Sequence, residues 1–261
     1  MEQKIPKIIH FVWVGKKEKS ELTNKCIESW KKYCPDYEIM EWNEDNFDTS
    51  SNHWTKLGME TKNYALVADV VRTKVLYDFG GVYLDTDVEI LKPIDELLRY
   101  NAFLGYESKH WFSSAVIGAV KNHEVLKYAV KRFDLTGDIK FNTNALTVHA
   151  FSVIVKRLYG IKINGKTKVL DNNIALLASD YFFPQHYITN KTVMTNNTYI
   201  IHYYYSSWHS AKQKKGARFA KGARKVLGRR AFSLFEKLVA LRYASIIRKQ
   251  LNVLDKEISH E

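Results

Sequence analysis

The sequence predicts an α/β fold: a mostly parallel, Rossmann-like sheet flanked by helices, with a C-terminal basic helical extension. Three observations predict it. Short apolar runs alternate along the chain with longer runs of helical spacing. Strands separated by helices need crossover connections, which belong to parallel sheets. Finally, Asp85-Thr86-Asp87 directly follows an apolar run, so two carboxylates stand at the carboxyl end of a strand, where open α/β sheets bind ligands.

Residues 7–14 form an apolar run after Pro6 and predict a buried strand that stops at Gly15. Leu22, Cys26, Trp30 and Tyr33 recur on one face of a helix. Residues 37–42 alternate like a strand, and 43–56 are polar and irregular. Residues 63–79 carry a strong helical pattern closed by Gly80-Gly81. Glycine suits that stop because it enters left-handed backbone without a Cβ clash. Residues 82–84 are a short strand leading into Asp85. Further strands are expected at 102–106 and 115–120, and helices at 123–133 and 143–158. Short extended pieces follow at Val169, 174–178 and 199–202.

Charge divides the chain in two. The whole carries 40 Lys+Arg against 28 Asp+Glu, a net of +12 that suggests a polyanionic partner. Residues 211–261 hold 14 of the basic and 4 of the acidic residues, so residues 1–210 keep only about +2. Two domains are therefore expected: a body over 1–210 and a basic amphipathic tail over 211–261. A nucleic-acid binder would spread its basic residues over the body, so nucleic acid is not an expected partner. In the tail, Phe232, Phe235, Val239, Ile246 and Leu254 recur at mostly helical spacing, with Lys237, Arg242, Arg248 and Lys249 between them. Such a helix suits an anionic membrane surface, and it equally suits packing on the body.

Cys26 and Cys34 match no zinc or redox spacing and read as buried or idle thiols. No window approaches the ~20 apolar residues of a membrane span. The opening apolar run also lacks a cleavage site. The expected location is cytoplasmic, peripheral on the inner face of the plasma membrane where the tail meets lipid.

The chemistry concentrates between residues 65 and 87. Two acids one residue apart can hold Mg²⁺ or Mn²⁺, hard cations that keep waters and take substrate phosphates. Asp69 and Arg72 are i and i+3 on the preceding helix, hence on one face. They offer an acceptor and a cationic fork for hydroxyls and phosphate. Tyr83 lies near this mouth and reads equally as a packed strand residue. His10, inside an apolar strand, reads as core.

This block resembles the DXD region of glycosyltransferase family 32, which includes capsular polysaccharide transferases and fungal mannosyltransferases. It is similar, more distantly, to the glucosylating domains of clostridial toxins. Residues 5–15, with Trp13, resemble the family's opening strand. Ser114 to Ala119 with Asn122-His123 resembles its middle segment, and His202 to Trp208 its closing His-x4-Ser-Trp signature. The resemblance spans about residues 5–210 and implies a GT-A-like fold with a nucleotide-sugar donor.

It further implies a role for each matched position. Val12 and Trp13 would hold base and ribose, while Asp69, Arg72, Tyr83 and Asp85 would contact donor sugar or phosphate. Asp87 would ligate the metal, with Asp85 and His202 completing its shell. Ser207 (or Ser206) and Trp208 would close over the diphosphate. Asp87 and Arg72 are the implied catalytic residues. The implied reaction is a metal-dependent, retaining hexosyl transfer, with UDP-hexose favoured as donor, to an oligosaccharide or lipid-linked glycan in capsular or cell-surface polysaccharide synthesis. A toxin-like protein glycosyltransferase and a non-catalytic nucleotide-sugar binder are the alternatives. Residues 83–88 also fit the first motif of haloacid dehalogenase-type phosphatases, but that motif normally opens the first strand of its chain.

Overall fold

Seven strands form one sheet in the order β2-β1-β3-β6-β5-β8-β7, in a computed structural model that describes residues 2–135, 143–186, 191–205 and 211–258. The strands are β1 (Ile8–Val12), β2 (Glu38–Trp42), β3 (Gly81–Leu84), β5 (Ala102–Ser108), β6 (Trp111–Ala119), β7 (Lys168–Val169) and β8 (Ile174–Leu177). β1 runs parallel to β2 and β3, and β5 parallel to β8, whereas β6 and β7 are antiparallel to their neighbours. Five of the seven strands therefore point one way, the mostly parallel sheet that the strand–helix alternation predicts.

Helices cover both faces. The first two are α1 (Glu21–Tyr33) and α2 (His53–Glu60). They are followed by α3 (Tyr64–Phe79), α4 (Glu124–Asp134), α5 (Thr143–Tyr159) and α6 (Ala211–Ile258). Alternate strand residues feed two apolar layers, because successive side chains leave opposite faces of a sheet. Val12, Tyr83, Leu104 and Ile117 join the layer beneath α3, α5 and α6, while Phe11, Leu84, Phe103 and Val116 join the layer with Trp30 of α1.

Two elements depart from the sequence expectation. α2 begins inside the stretch expected to be irregular, started by the Asn52 side chain, which accepts from the Trp54 N–H at 2.9 Å. The second is β4 (Val88–Ile90), a three-residue strand directly after the Asp-x-Asp turn, which pairs antiparallel with β9 (Ile200–His202). β4 is too short to show a period, and its partner lies more than a hundred residues away in sequence.

The tail forms one 48-residue helix. Its second half packs on the body: Ile247, Leu251 and Leu254 lie in the core layer beneath the sheet, and Phe232 is buried too. The stripe expected from spacing is only partly the one used, since Phe235 is exposed and the inward face runs through Phe232, Glu236, Ile247 and Leu251. Among the described residues no helix is long and apolar enough to cross a membrane. Cys26 and Cys34 are free and buried, and burial pushes both thiols up to about 12.

Candidate active site

α3 delivers the first half of the site. Its C-cap Gly80 takes φ +70°, and Gly81 follows at φ +105°. A Cβ on Gly81 would stand 2.7 Å from the Ile8 carbonyl and 3.0 Å from His10 Nε2. The double glycine thus lets β3 leave the helix immediately and lie against β1. His10 locks that junction. Its Nε2–H donates to the Gly80 carbonyl at 2.7 Å, and its Nδ1 accepts from the Trp42 indole at 3.1 Å. Burial lowers its pKa, so it is a neutral core histidine, as its apolar strand implies.

Asp69 and Arg72 therefore arrive beside the carboxyl end of β3. The Arg72 Nη2 lies 3.1 Å from Asp69 Oδ1 and 3.2 Å from Asp85 Oδ1, and its Nη1 donates to the Ser114 carbonyl at 2.6 Å. The guanidinium stands 4.6 Å over the Tyr83 ring, whose hydroxyl donates to the same Asp85 oxygen at 3.0 Å. Tyr83 is both things its position allowed: a buried strand residue and a hydroxyl aimed at Asp85. One oxygen of Asp85 is thus gripped twice.

β4 and β9 deliver the second half. Their register sets Val88 opposite His202, which brings His202 Nε2 to 3.1 Å from Asp87 Oδ1. The Asp87 Oδ2 accepts from the Tyr205 N–H at 2.8 Å. Burial would raise the Asp87 carboxyl, but His202 and the Tyr205 N–H outweigh it and hold the pKa below the usual value. Burial would lower His202, yet Asp87, Asp85 and Glu107 together raise it.

Ligand atoms of Asp85, Asp87 and His202 all lie within 4.8 Å of one another. His202 Nδ1 is buried and has no hydrogen-bond partner among the described residues. Two carboxylates and an imidazole at a half-buried turn suit a divalent cation that retains water for substrate oxygens.

The remaining expected residues are placed as follows. Val12 ends β1 and Trp13 follows it, at the same sheet edge as Asp85 because β1 and β3 run parallel. The Trp13 indole donates to the Lys17 carbonyl at 2.7 Å, and the Lys19 ammonium stands 5.6 Å from its ring. Ser206, Ser207 and Trp208 lie outside the described residues. Glu107, at the end of β5, was not anticipated. Its carboxyl bonds the side chains of Ser113 and Trp111 and faces His202 and Asp85, and burial raises its pKa despite those partners. A lone glutamate has no local pattern. It reaches the site through the β5–β6 pairing, which puts Ser108 opposite Trp111.

Residues 20–104 match the family described as glycosyltransferase sugar-binding region containing DXD motif. Inositol phosphoceramide mannosyltransferase 3 of Schizosaccharomyces pombe is 35% identical over 138 residues, covering 49% of this chain and 36% of that protein. Its relative, inositol phosphoceramide mannosyltransferase 2, is 26% identical, covering 80% of this chain and 59% of that one. The chain thus spans between about a third and three fifths of the first curated relatives it matches. The uncharacterized glycosyltransferase L373 of Acanthamoeba polyphaga mimivirus is 31% identical over 218 residues, 78% of this chain and 84% of that protein. Among solved structures, the PaToxG glycosyltransferase aligns with a TM-score of 0.47 at 19% identity, over 60% of this chain and 71% of that one. With a relative matched along most of its length, and the family's Asp-x-Asp turn set at the end of β3, the chain belongs to the DXD-motif glycosyltransferases, family 32.

Proposed function

We propose that the chain transfers a hexose from a nucleotide sugar to a hydroxyl acceptor, in a metal-dependent reaction that retains configuration. The observation that carries this reading is the convergence of Asp85, Asp87 and His202 beside the buried Asp69–Arg72 pair. A divalent cation in that cluster would neutralise charge on the departing nucleotide diphosphate. The protein's own part is orientation. Arg72 and Tyr83 fix one Asp85 oxygen, leaving the other for metal or sugar hydroxyl. His202 and the Tyr205 N–H fix Asp87. Val12 and Trp13, at the same sheet edge, take the base and ribose, and Ser207 and Trp208 take the diphosphate.

In the step itself, the acceptor oxygen bonds to the anomeric carbon on the face that the diphosphate leaves. The glycosidic C–O bond to phosphate breaks, and the acceptor's proton passes to a diphosphate oxygen. Retention of configuration follows the family resemblance, and the ion is Mn²⁺ or Mg²⁺. UDP-hexose is the donor favoured from the sequence. The mannosyltransferase names of two relatives make GDP-mannose the donor to test beside it. They also favour a lipid-borne acceptor, which a basic α6 would meet at an anionic membrane surface.

The test is donor turnover with UDP-glucose, UDP-galactose and GDP-mannose, each with Mn²⁺, Mg²⁺ or EDTA. One donor should be consumed with metal and spared by EDTA. Asp87→Asn keeps the side chain's shape but weakens a metal ligand, so turnover should fall about 10²–10³-fold while the thermal midpoint stays near wild type. Full turnover by that variant would sink the assignment.

A further inference from the structure

Away from the carboxylate site, α5 and α6 enclose a cleft of about 460 Å³. Its apolar floor includes Val153, Ile163 and Leu241, and its mouth carries Lys156, Lys162, Lys237 and Arg248. A second hollow of about 440 Å³ shares Lys162, Ile163 and Lys237 and runs on to Lys109 and Leu234. The walls are fixed by aromatic contact: His149 of α5 stacks on Tyr243 of α6 at 4.9 Å, and Trp111 packs edge-on against His149 at 4.9 Å.

Among the described residues no carboxylate neutralises the mouth. Arg157, also in the cleft, is paired with Asp255 and bonded to Asn252 at 2.9 Å, so it is not counted. Lys156, Lys162, Lys237 and Arg248 have no carboxylate within ion-pair distance among the described residues. Glu236 on the same helix is buried and already engaged, and Asp255 serves Arg157 and Tyr128. Four cations brought together from three segments over an apolar floor suit an anion attached to an apolar body.

α6 also has a second apolar face. Leu234, Leu238 and Leu241, spaced four and three apart, share one side and are 58%, 57% and 51% exposed. Phe235 beside them is 51% exposed. Leu234 and Leu241 line the two hollows, so this stripe leads directly out of the cationic mouth. Upstream, residues 211–230 contain nine Lys/Arg and no Asp or Glu, which would draw the helix toward a negative surface.

We propose that this cleft is the docking site for an anionic membrane lipid. Lys162 and Lys237, which line both hollows, hold its phosphate, Lys156 and Arg248 add positive charge farther along the cleft, and its acyl chains lie against Leu234, Leu238 and Leu241, so that α6 rests in the plane of the bilayer. A free phosphate would leave the leucine stripe in water. A nucleic acid would call for stacking aromatics along the basic track, and among the described residues of α6 Phe235 is the one exposed aromatic. The inference deepens the membrane part of the proposed function and does not depend on the transfer chemistry.

Co-sedimentation of the full chain with phosphatidylcholine vesicles, with and without phosphatidylglycerol, tests it. Wild type should bind only the anionic vesicles. Lys162→Glu/Lys237→Glu should weaken binding at least ~10-fold, and Leu238→Ser/Leu241→Ser, at solvent-facing positions, should do so by about as much. Thermal midpoints near wild type would show that both variants fold. Unchanged binding by the leucine variant would reduce the contact to diffuse charge attraction and overturn the proposal. So would displacement from vesicles by soluble glycerol phosphate, or by duplex RNA at sub-stoichiometric lipid. Donor turnover is read in parallel. An inactive chain that binds vesicles in this pattern would refute the transfer reading and leave the docking site standing.

Discussion

Arg72 meets Asp69 and Asp85 at 3.1 and 3.2 Å from a guanidinium almost wholly out of water. Taking that charge out of water costs several kcal/mol, and two carboxylates, a carbonyl and the Tyr83 ring offset the cost. Removing the guanidinium alone would take from the buried Asp69 its ion pair at 3.1 Å and leave it only the more distant field of Arg132 among the described cations that act on it. Arg72→Met should therefore cost about 3–5 kcal/mol in urea denaturation as well as abolish turnover. Asp69→Asn/Arg72→Met should recover part of the stability and none of the turnover, since Asp85 would still lack its positioning contact. Additive losses in that double-mutant cycle would show that the two residues are not coupled. The three carboxylates and the arginine were legible from spacing alone, because helix, glycine pair and strand are contiguous in sequence. His202 was legible only through resemblance, because pairing with a strand far away in sequence brings it in, and Glu107 not at all, because it arrives on the β5–β6 hairpin, which no local pattern ties to the Asp-x-Asp turn.

Among elements, α4 shows how a local cap ties stability to pH. Its N-cap is His123, whose Nδ1 accepts from the Val125 N–H at 3.2 Å. That bond needs a neutral ring, and burial pushes the His123 pKa down to about 4. The unfolded chain protonates this histidine near pH 6.5. Between about 6.5 and 4 the unfolded state thus binds a proton that the folded state refuses. The contribution is fully present above the unfolded pKa and is lost as pH falls, by on the order of 3 kcal/mol in all. Asn caps a helix without titrating in this range. His123→Asn should accordingly lose less stability than wild type between pH 7 and pH 4.5 in urea melts at each pH. Equal losses would exclude His123 as the source. Most helices and sheet strands were readable because their apolar periods are long enough to register, whereas the eight-residue α2 lay in a stretch whose polar composition hid it. β4 was not: three residues hold no period, and only pairing with β9 makes them a strand. That missed strand is also what carries His202 to Asp87.

At the scale of the whole molecule, composition separates residues 211–261 from the rest by charge, yet packing joins the second half of α6 to the body. Ile247, Leu251 and Leu254 share a core layer with Val71 of α3, Ile117 of β6 and Ile154 of α5. The Tyr128 hydroxyl reaches Asp255 at 3.0 Å across to the same helix. Net charge reports the solvent-facing residues of a helix and says nothing of the face it buries, so a basic segment and a core helix can be one object. The difference is measurable residue by residue. Ile247→Ala and Leu251→Ala remove side chains with no solvent exposure, so each should cost about 2–5 kcal/mol through lost burial and the cavity left behind. Leu238→Ala, on the exposed face of the same helix, should stay within about 0.5 kcal/mol of wild type. Were Ile247→Ala no more costly than Leu238→Ala in urea denaturation, α6 would be an appendage lying on a body complete without it. With the expected contrast, α6 is part of the body: its inner face closes the core under the sheet, and the outer, basic and leucine-lined face is the one left for the proposed lipid site.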